Sequence, residues 1–190
     1  MMKAKPRCDW VPLDKADYVL YHDTEWGAPV HDDRTLFEML ILEGAQAGLS
    51  WYSVLKRREG YRKAFKEFDV AKVAKMTDAE LAHVLASGNI IRNRLKVFAT
   101  RTNAQRVLDI QKEFGSFDAY LWRFVGGRPI VNRPRTLRDL RPTSPESDAL
   151  SKDLSKRGLS FVGSTIIHAY MQAVGLRDDH LAHCFKSSIA

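Results

Sequence analysis

Apolar residues along this chain recur at three- and four-residue spacing, and the runs they form are bounded by helix punctuation. The stretch "RTLFEMLILEGAQAG" has helical spacing and ends on glycine. Asp69 is placed to cap "VAKVAKM", and "TDAE" at 77–80 is a capping box that opens "LAHVLAS" before Gly88 stops it. Residues 92–114 are long enough for six turns, with Leu95, Phe98, Val107 and Ile110 on the apolar side and Gly115 at the end. "FDAYLWRFV" predicts a short helix. Ser144 followed by Pro145 reads as an N-cap with proline at the first helical position, opening "ESDALSKDLSKR", and "STIIHAYMQAVG" makes a last apolar helix ending at Gly175. No alternating run supports a strand, so the predicted class is all-α, in one domain spanning residues 1–190.

Within that domain Glu43 stands out. On a helix it shares a face with Met39, Leu40, Gln46 and Ala47, none charged, and no basic residue lies within one turn. Glu38, with Arg34 at i−4, reads as an ordinary solvated acid. A carboxylate on an apolar face costs several kcal/mol unless something pairs with it. Glu43 therefore meets a partner from elsewhere in the chain or from a ligand, or else is rotated to the surface or caps another helix. The Gly48 and Leu49 that follow are either a helix cap with a core leucine or a glycine-permitted turn carrying a small apolar plug. Trp26 and Trp51 admit a core reading too, whereas Trp122, Tyr170 and Met171 are assigned to the core.

Charge narrows the partners. Thirty Lys and Arg against 23 Asp and Glu give +7, which favours a polyanion. Five of the arginines fall in residues 126–145, with four prolines and Asp139 as the only acid; this segment is either a solvated connection or a basic loop near phosphates. No apolar run of about 18 residues is present and "MMKAKPRCDW" lacks a signal-peptide core, so no membrane partner and a cytoplasmic location are expected. Only two cysteines occur, Cys8 and Cys184, and a disulfide is not expected in a reducing compartment. Cys8 and His22 lie near one end. "HLAHC" at the other places His180 and Cys184 at i and i+4, on one face if helical, with His183 off that face and given no role. Two nitrogen and two sulfur donors suit a closed, structural zinc site tying the termini together; isolated thiols and satisfied core histidines are the alternative, since the spacing is no zinc-finger pattern.

"SKRGLSFVGSTIIHAYMQA", residues 155–173, joins two helices by a short turn between Gly158 and Gly163. A helix starting just after such a turn, at Ser164 and Thr165, offers free amides to a phosphate, and Lys156 and Arg157 add charge beside it. This element resembles the helix-hairpin-helix of DNA repair glycosylases. With it, "CDW", "YHDTEWG", "LFEMLILEGAQAGLSW", "KRGLSFVGSTI" and "DDHLAHC" together resemble the 3-methyladenine DNA glycosylase I (Tag) family, from about Cys8 to Cys184.

That resemblance implies a two-lobed all-α fold of the helix-hairpin-helix glycosylase superfamily, with a structural Zn2+ held by Cys8, His22, His180 and Cys184. It implies a base pocket lined by Trp10, Tyr21, Trp26, Glu43 and Trp51, a Gly48–Leu49 plug, and a monomer acting near the nucleoid. Its partners would be double-stranded DNA carrying alkylated bases and free 3-methyladenine as product. Superfamily members that also cut the backbone resemble one another in a lysine just after the hairpin's second glycine; here Ser164 and Thr165 follow Gly163, so a monofunctional hydrolase is expected. Asp178 and Asp179, beside His180, read as an orienting or capping acid rather than a catalyst. The rival readings are a broader alkylpurine glycosylase, distinguished by turnover of 7-methylguanine, and a non-enzymatic zinc-stabilised DNA-binding module, which has no use for Glu43 among aromatic rings. A zinc-dependent hydrolase would need an open coordination position, which four protein ligands leave no room for.

Overall fold

A computed structural model describes residues 5–188 and is mostly helical. The helices are α1 (Ala16–Thr24), α2 (Asp33–Gln46), α3 (Trp51–Leu55), α4 (Arg58–Ala64), α5 (Val70–Ala74), α6 (Asp78–Ser87), α7 (Arg94–Phe114), α8 (Phe117–Trp122), α9 (Pro145–Lys156) and α10 (Ser164–Ala173). Their starts follow the side-chain chemistry. Asp32 accepts from the Thr35 amide, Asp69 from the Lys72 amide, and Thr77 with Glu80 and Ser144 with Ser147 close reciprocal boxes.

The centre of the two-lobed fold is α2. Every residue from Leu36 to Ala45 is buried, the signature of a helix enclosed on all sides rather than lying on a surface. It packs against α3, α7, α8 and α10. To one side α5 and α6 lie on α7; to the other α9 and α10 pack as a hairpin. The termini meet where the loop after α1 lies against the end of α10, through Gly27 N–H to the Gln172 carbonyl (3.0 Å) and Val30 N–H to the Val174 carbonyl (3.1 Å). Gly175 allows this approach: its φ is +70°, and a Cβ there would stand 2.4 Å from the backbone of Ala28 and Pro29.

Four expectations change. The buried face of α7 is Val97, Ala104, Val107 and Ile110, while Leu95 is 74% exposed and Phe98 only half-buried. Leu95 sits two residues, some 200°, from Val97, so the long helix turns it outward. The segment 126–145 contributes a two-residue strand, β1 (Ile130–Val131), paired in parallel with β2 (Arg177–Asp178). "HLAHC" is not helical; the chain after β2 runs through turns into a 3-10 turn at Phe185–Ser188. Glu38 is not a solvated acid: it is buried and ion-paired with Arg58 and Arg62. Both partners lie on α4, out of sight of an i±4 rule. Arg58 also binds Glu25 at 2.6 Å, so the cluster ties the end of α1, α2 and α4 together.

Removing the Glu38 carboxylate leaves the Arg58 guanidinium buried without its nearest counter-charge. Glu38→Ala is expected to cost about 3–5 kcal/mol in urea denaturation, and a loss under about 1 kcal/mol, the range of exposed pairs, would show the cluster to be dispensable.

Candidate active site

Helix α2 carries Glu43 into a cavity of about 230 Å³. Its walls come from distant parts of the chain: Trp10 ahead of α1, Tyr18 and Tyr21 on α1, Trp26 after it, Gln46 beside Glu43, Trp51 at the start of α3, and Ala169 and Gln172 on α10. Leu140 closes one side. The aromatic rings touch in a continuous wall. Trp10 meets Trp26 edge to face with centroids 4.8 Å apart, and Tyr21 lies 5.3 Å from Trp51.

Glu43 is 5% exposed and has no ion pair or hydrogen-bond partner among the described residues. Burial pushes its carboxyl up to about 8, so at neutral pH the empty cavity holds it protonated. The same burial, with Glu43 nearby, raises the Tyr18 phenol to about 12 and the Tyr21 phenol well above its ordinary value. The cavity is thus lined with neutral groups, one of which can become an anion if a cation enters.

A second hollow, of about 180 Å³, adjoins the first and shares Glu43, Gln46 and Ala169 with it. Its rim is Gly48, Leu49, Thr165 and Ile166. Gly48 has φ +81° with open space around its Cβ position, and Leu49 is 44% exposed, its amide donating to the Gln46 carbonyl at 2.6 Å. Leu49 is therefore not a core leucine; it stands at the mouth, beside the N-terminus of α10. There Gly163 and Thr165 are exposed, while Ser164 bonds Ser147 (3.0 Å) and Asp148. Gly158 turns the chain with φ +89°, and Lys156 is exposed. Arg157 brings no free charge to this end of the hairpin. Its guanidinium is held by Asp153 (2.8 Å) and Glu113 (2.6 Å) and lies over the Phe114 ring, so the two acids neutralise it.

Behind the aromatic wall Cys8, His22 and Cys184 bring their ligand atoms within 4.8 Å of one another, all buried. His180 adjoins this group rather than completing it: its ring is 5.3 Å from that of His22. Its Nδ1 is bound to Asp178 at 2.6 Å, and its Nε2 is buried with no partner. His22 likewise has Nδ1 on Asp23 at 2.8 Å, leaving Nε2 for the cysteines, with Cys184 Sγ 3.5 Å away. Burial lowers the His22 pKa and pushes the Cys8 thiol up to about 12, which leaves a neutral imidazole and a thiol that only a cation would ionise. An orphaned imidazole nitrogen, two carboxylate-oriented histidines and two buried thiols are the donor set of a sulfur–nitrogen metal site. His183 lies outside it, on Asp9 and the Arg7 carbonyl.

Asp178 thus orients His180, and Asp179 is buried as an acceptor for Gln172 (2.7 Å), Asn132 (2.7 Å) and Arg177. Tyr18, Gln172 and Leu140 escaped the sequence reading. Tyr18 precedes Tyr21 by three residues and Gln172 follows Ala169 by three, spacings that put each pair on one helix face; Leu140 sits in the irregular basic segment and carries no local signal.

The methyladenine glycosylase family model matches residues 10–187. The DNA-3-methyladenine glycosylase 1 of Escherichia coli (strain K12) is 46% identical over 94% of this chain and 95% of its own. A crystal structure of 3-methyladenine DNA glycosylase I superposes with a TM-score of 0.91 at 46% identity, covering 95% of this chain and 98% of that one. Another, in complex with 3-methyladenine, gives 0.89 at 36% identity over 91% and 93%.

The raised Glu43 pKa has a consequence for stability. Between about 4.5 and about 8 the unfolded chain gives up this proton while the folded chain keeps it, so rising pH works against folding in that window. Thermal melts of wild type and Glu43→Gln should therefore diverge as pH rises from 5 to 8, with the glutamine variant gaining; parallel curves would place the carboxyl in water.

Proposed function

The chain belongs to the methyladenine glycosylase family, and from that premise we propose that it excises 3-methyladenine from alkylated DNA by flipping the nucleotide into the Glu43 cavity and hydrolysing its glycosidic bond. The observation that carries the reading is the unpaired, buried carboxyl among aromatic rings, opening toward the Gly48–Leu49 turn and the start of α10.

Alkylation at N3 makes the base cationic and weakens its bond to the sugar. The protein's task is to extract, hold and discriminate. Unstacking costs a few kcal/mol and least for a damaged base, so selection starts before the cavity is filled. Leu49 fills the gap left in the duplex, and Gly48 lets the backbone come close. The amides at Gly163, Ser164 and Thr165 hold phosphate without reading sequence, and exposed Lys156 adds charge. Trp10, Trp26, Trp51 and Tyr21 offer ring faces and edges to the purine, each cation–π contact worth about 0.5–2 kcal/mol. Neutral adenine gains less.

Glu43 supplies the rest. Entry of a cation reverses the balance that kept its carboxyl protonated, the proton leaves to solvent, and the carboxylate accepts hydrogen bonds from the base edge worth about 1.5–3 kcal/mol. When the C–N bond breaks, its electron pair returns to the base, which departs neutral. Water adds to the sugar carbon and loses a proton, leaving an abasic site. With Ser164 and Thr165 after Gly163 there is no amine to attack the sugar, so the strand stays intact.

Zinc would be held at the termini by Cys8, His22 and Cys184, with the unpartnered Nε2 of the adjoining His180 turning in as the fourth donor. Bound there it would supply a crosslink between the chain ends and no chemistry on DNA. Chromatography of bases released from methylated DNA is the direct test: 3-methyladenine should appear with wild type and fall with Glu43→Ala, without strand nicking at abasic sites. Glu43→Gln should weaken binding of free 3-methyladenine roughly 10- to 100-fold, and unchanged affinity would remove the role of the carboxylate. Cys184→Ser should lower zinc content and melting temperature together; a full zinc complement in that variant would exclude this ligand set.

A further inference from the structure

Helix α7 contributes nothing to the cavity lining, yet it sends one side chain to the root of the turn that carries Leu49. The Lys96 ammonium donates to the Ala45 carbonyl at 3.0 Å and to the Ala47 carbonyl at 2.8 Å. It has no carboxylate partner among the described residues, and burial lowers its pKa. An ammonium half-withdrawn from water in this way is held by what the end of α2 offers, which is unpaired carbonyls and the negative end of the helix dipole. The last turn of α2 has no basic residue of its own. Between Lys96 on two carbonyls and the Leu49 amide on the third, that of Gln46, the carbonyls of residues 45–47 are all bonded. The same ammonium lies 5.8 Å from the centre of the Phe161 ring, in the hairpin turn. Two turns further along α7, Asn103 holds the residue before Phe161 from both sides, donating to the Ser160 carbonyl (3.0 Å) and accepting from the Ser160 amide (2.9 Å).

We propose that Lys96 is a positioning residue for base extrusion: by clamping the carbonyls that precede Gly48 it fixes the Gly48–Leu49 turn at the height above α10 from which Leu49 enters the duplex. This rests on the glycosylase reading of the Glu43 cavity and adds a part to it. The clamp acts on the plug and not on the cavity, so it matters for taking a base out of DNA and not for holding a base already free.

A double-mutant cycle tests this. Single-turnover release of 3-methyladenine from methylated duplex DNA is measured for wild type, Lys96→Met, Leu49→Ala and the double variant, alongside binding of free 3-methyladenine by tryptophan fluorescence. Each single substitution should slow release about tenfold or more. The double variant should be within about twofold of Leu49→Ala, since a clamp with no plug has nothing left to place, and free-base affinity should stay within about twofold of wild type throughout. Lys96→Arg, which still donates, should recover part of the rate. Multiplying losses in the double variant, a matching fall in free-base affinity, or normal release by Lys96→Met would each overturn the proposal. Should Lys96→Met not fold, Lys96→Gln carries the same comparison and the same outcomes. Failure of wild type to release base would instead strike the glycosylase reading itself.

Discussion

A carboxyl group enclosed by rings and given no cation is tolerated in a folded protein because it can keep its proton, and the whole cavity is arranged around that condition. Tyr18, Tyr21, Gln46 and Gln172 surround Glu43 with groups that are neutral at pH 7, and among the described residues no lysine or arginine lines the cavity. An arginine there would stabilise the empty state and make the anion permanent, at the expense of any preference for a cationic guest. The protonated acid costs little while the cavity is empty, and becomes strongly attractive when positive charge arrives with water excluded.

The same helix shows the opposite solution five residues earlier. Glu38 and Glu43 are equally buried, but Glu38 is met by Arg58 and Arg62 whereas Glu43 is met by none. Glu38 joins three elements into a scaffold; Glu43 is left unsatisfied inside it. A central helix enclosed on every side can carry both, because its position is set by Leu36, Phe37, Leu40 and Leu42, fully buried side chains that do not depend on either acid.

Local grammar made the helices legible, since caps and glycine stops act through neighbours a few residues away: Asp69, Thr77, Ser144 and Gly115 bound their helices as their types dictate. What was not legible depends on partners far along the chain. The arginines on Glu38, the pairing of β1 with β2 and the contact of Glu113 with Arg157 join partners separated by 20 to 47 positions, beyond any periodicity. The cavity falls between these cases. Glu43 was conspicuous because it broke the pattern of its own helix, and Trp10, Tyr21, Trp26 and Trp51 came with a resemblance to known motifs. Gln172 and Leu140 break no pattern, so only the folded chain reveals them.

The two ends of the chain bear on the cavity through one wall. Trp26 packs on Trp10 at 4.8 Å on its cavity side and on His180 at 4.6 Å, so the indole stands between the cavity and the cysteine–histidine group. Gly27, next in sequence, has φ +76°, and a Cβ there would lie 2.6 Å from the His180 ring; only glycine lets the loop press so closely on that imidazole. The imidazole is itself fixed by Asp178, on the strand paired to β1, and the neighbouring Asp179 reaches back to hold Gln172 at the cavity. The C-terminal strand and the residue after it therefore serve both neighbours at once, Asp178 orienting the imidazole beside the cysteine–histidine group and Asp179 a cavity side chain. The cavity inherits its shape from how the two ends of the chain pack, since a shift in the cysteine–histidine group reaches it through Trp26 and a shift in Asp179, just after β2, reaches it through Gln172.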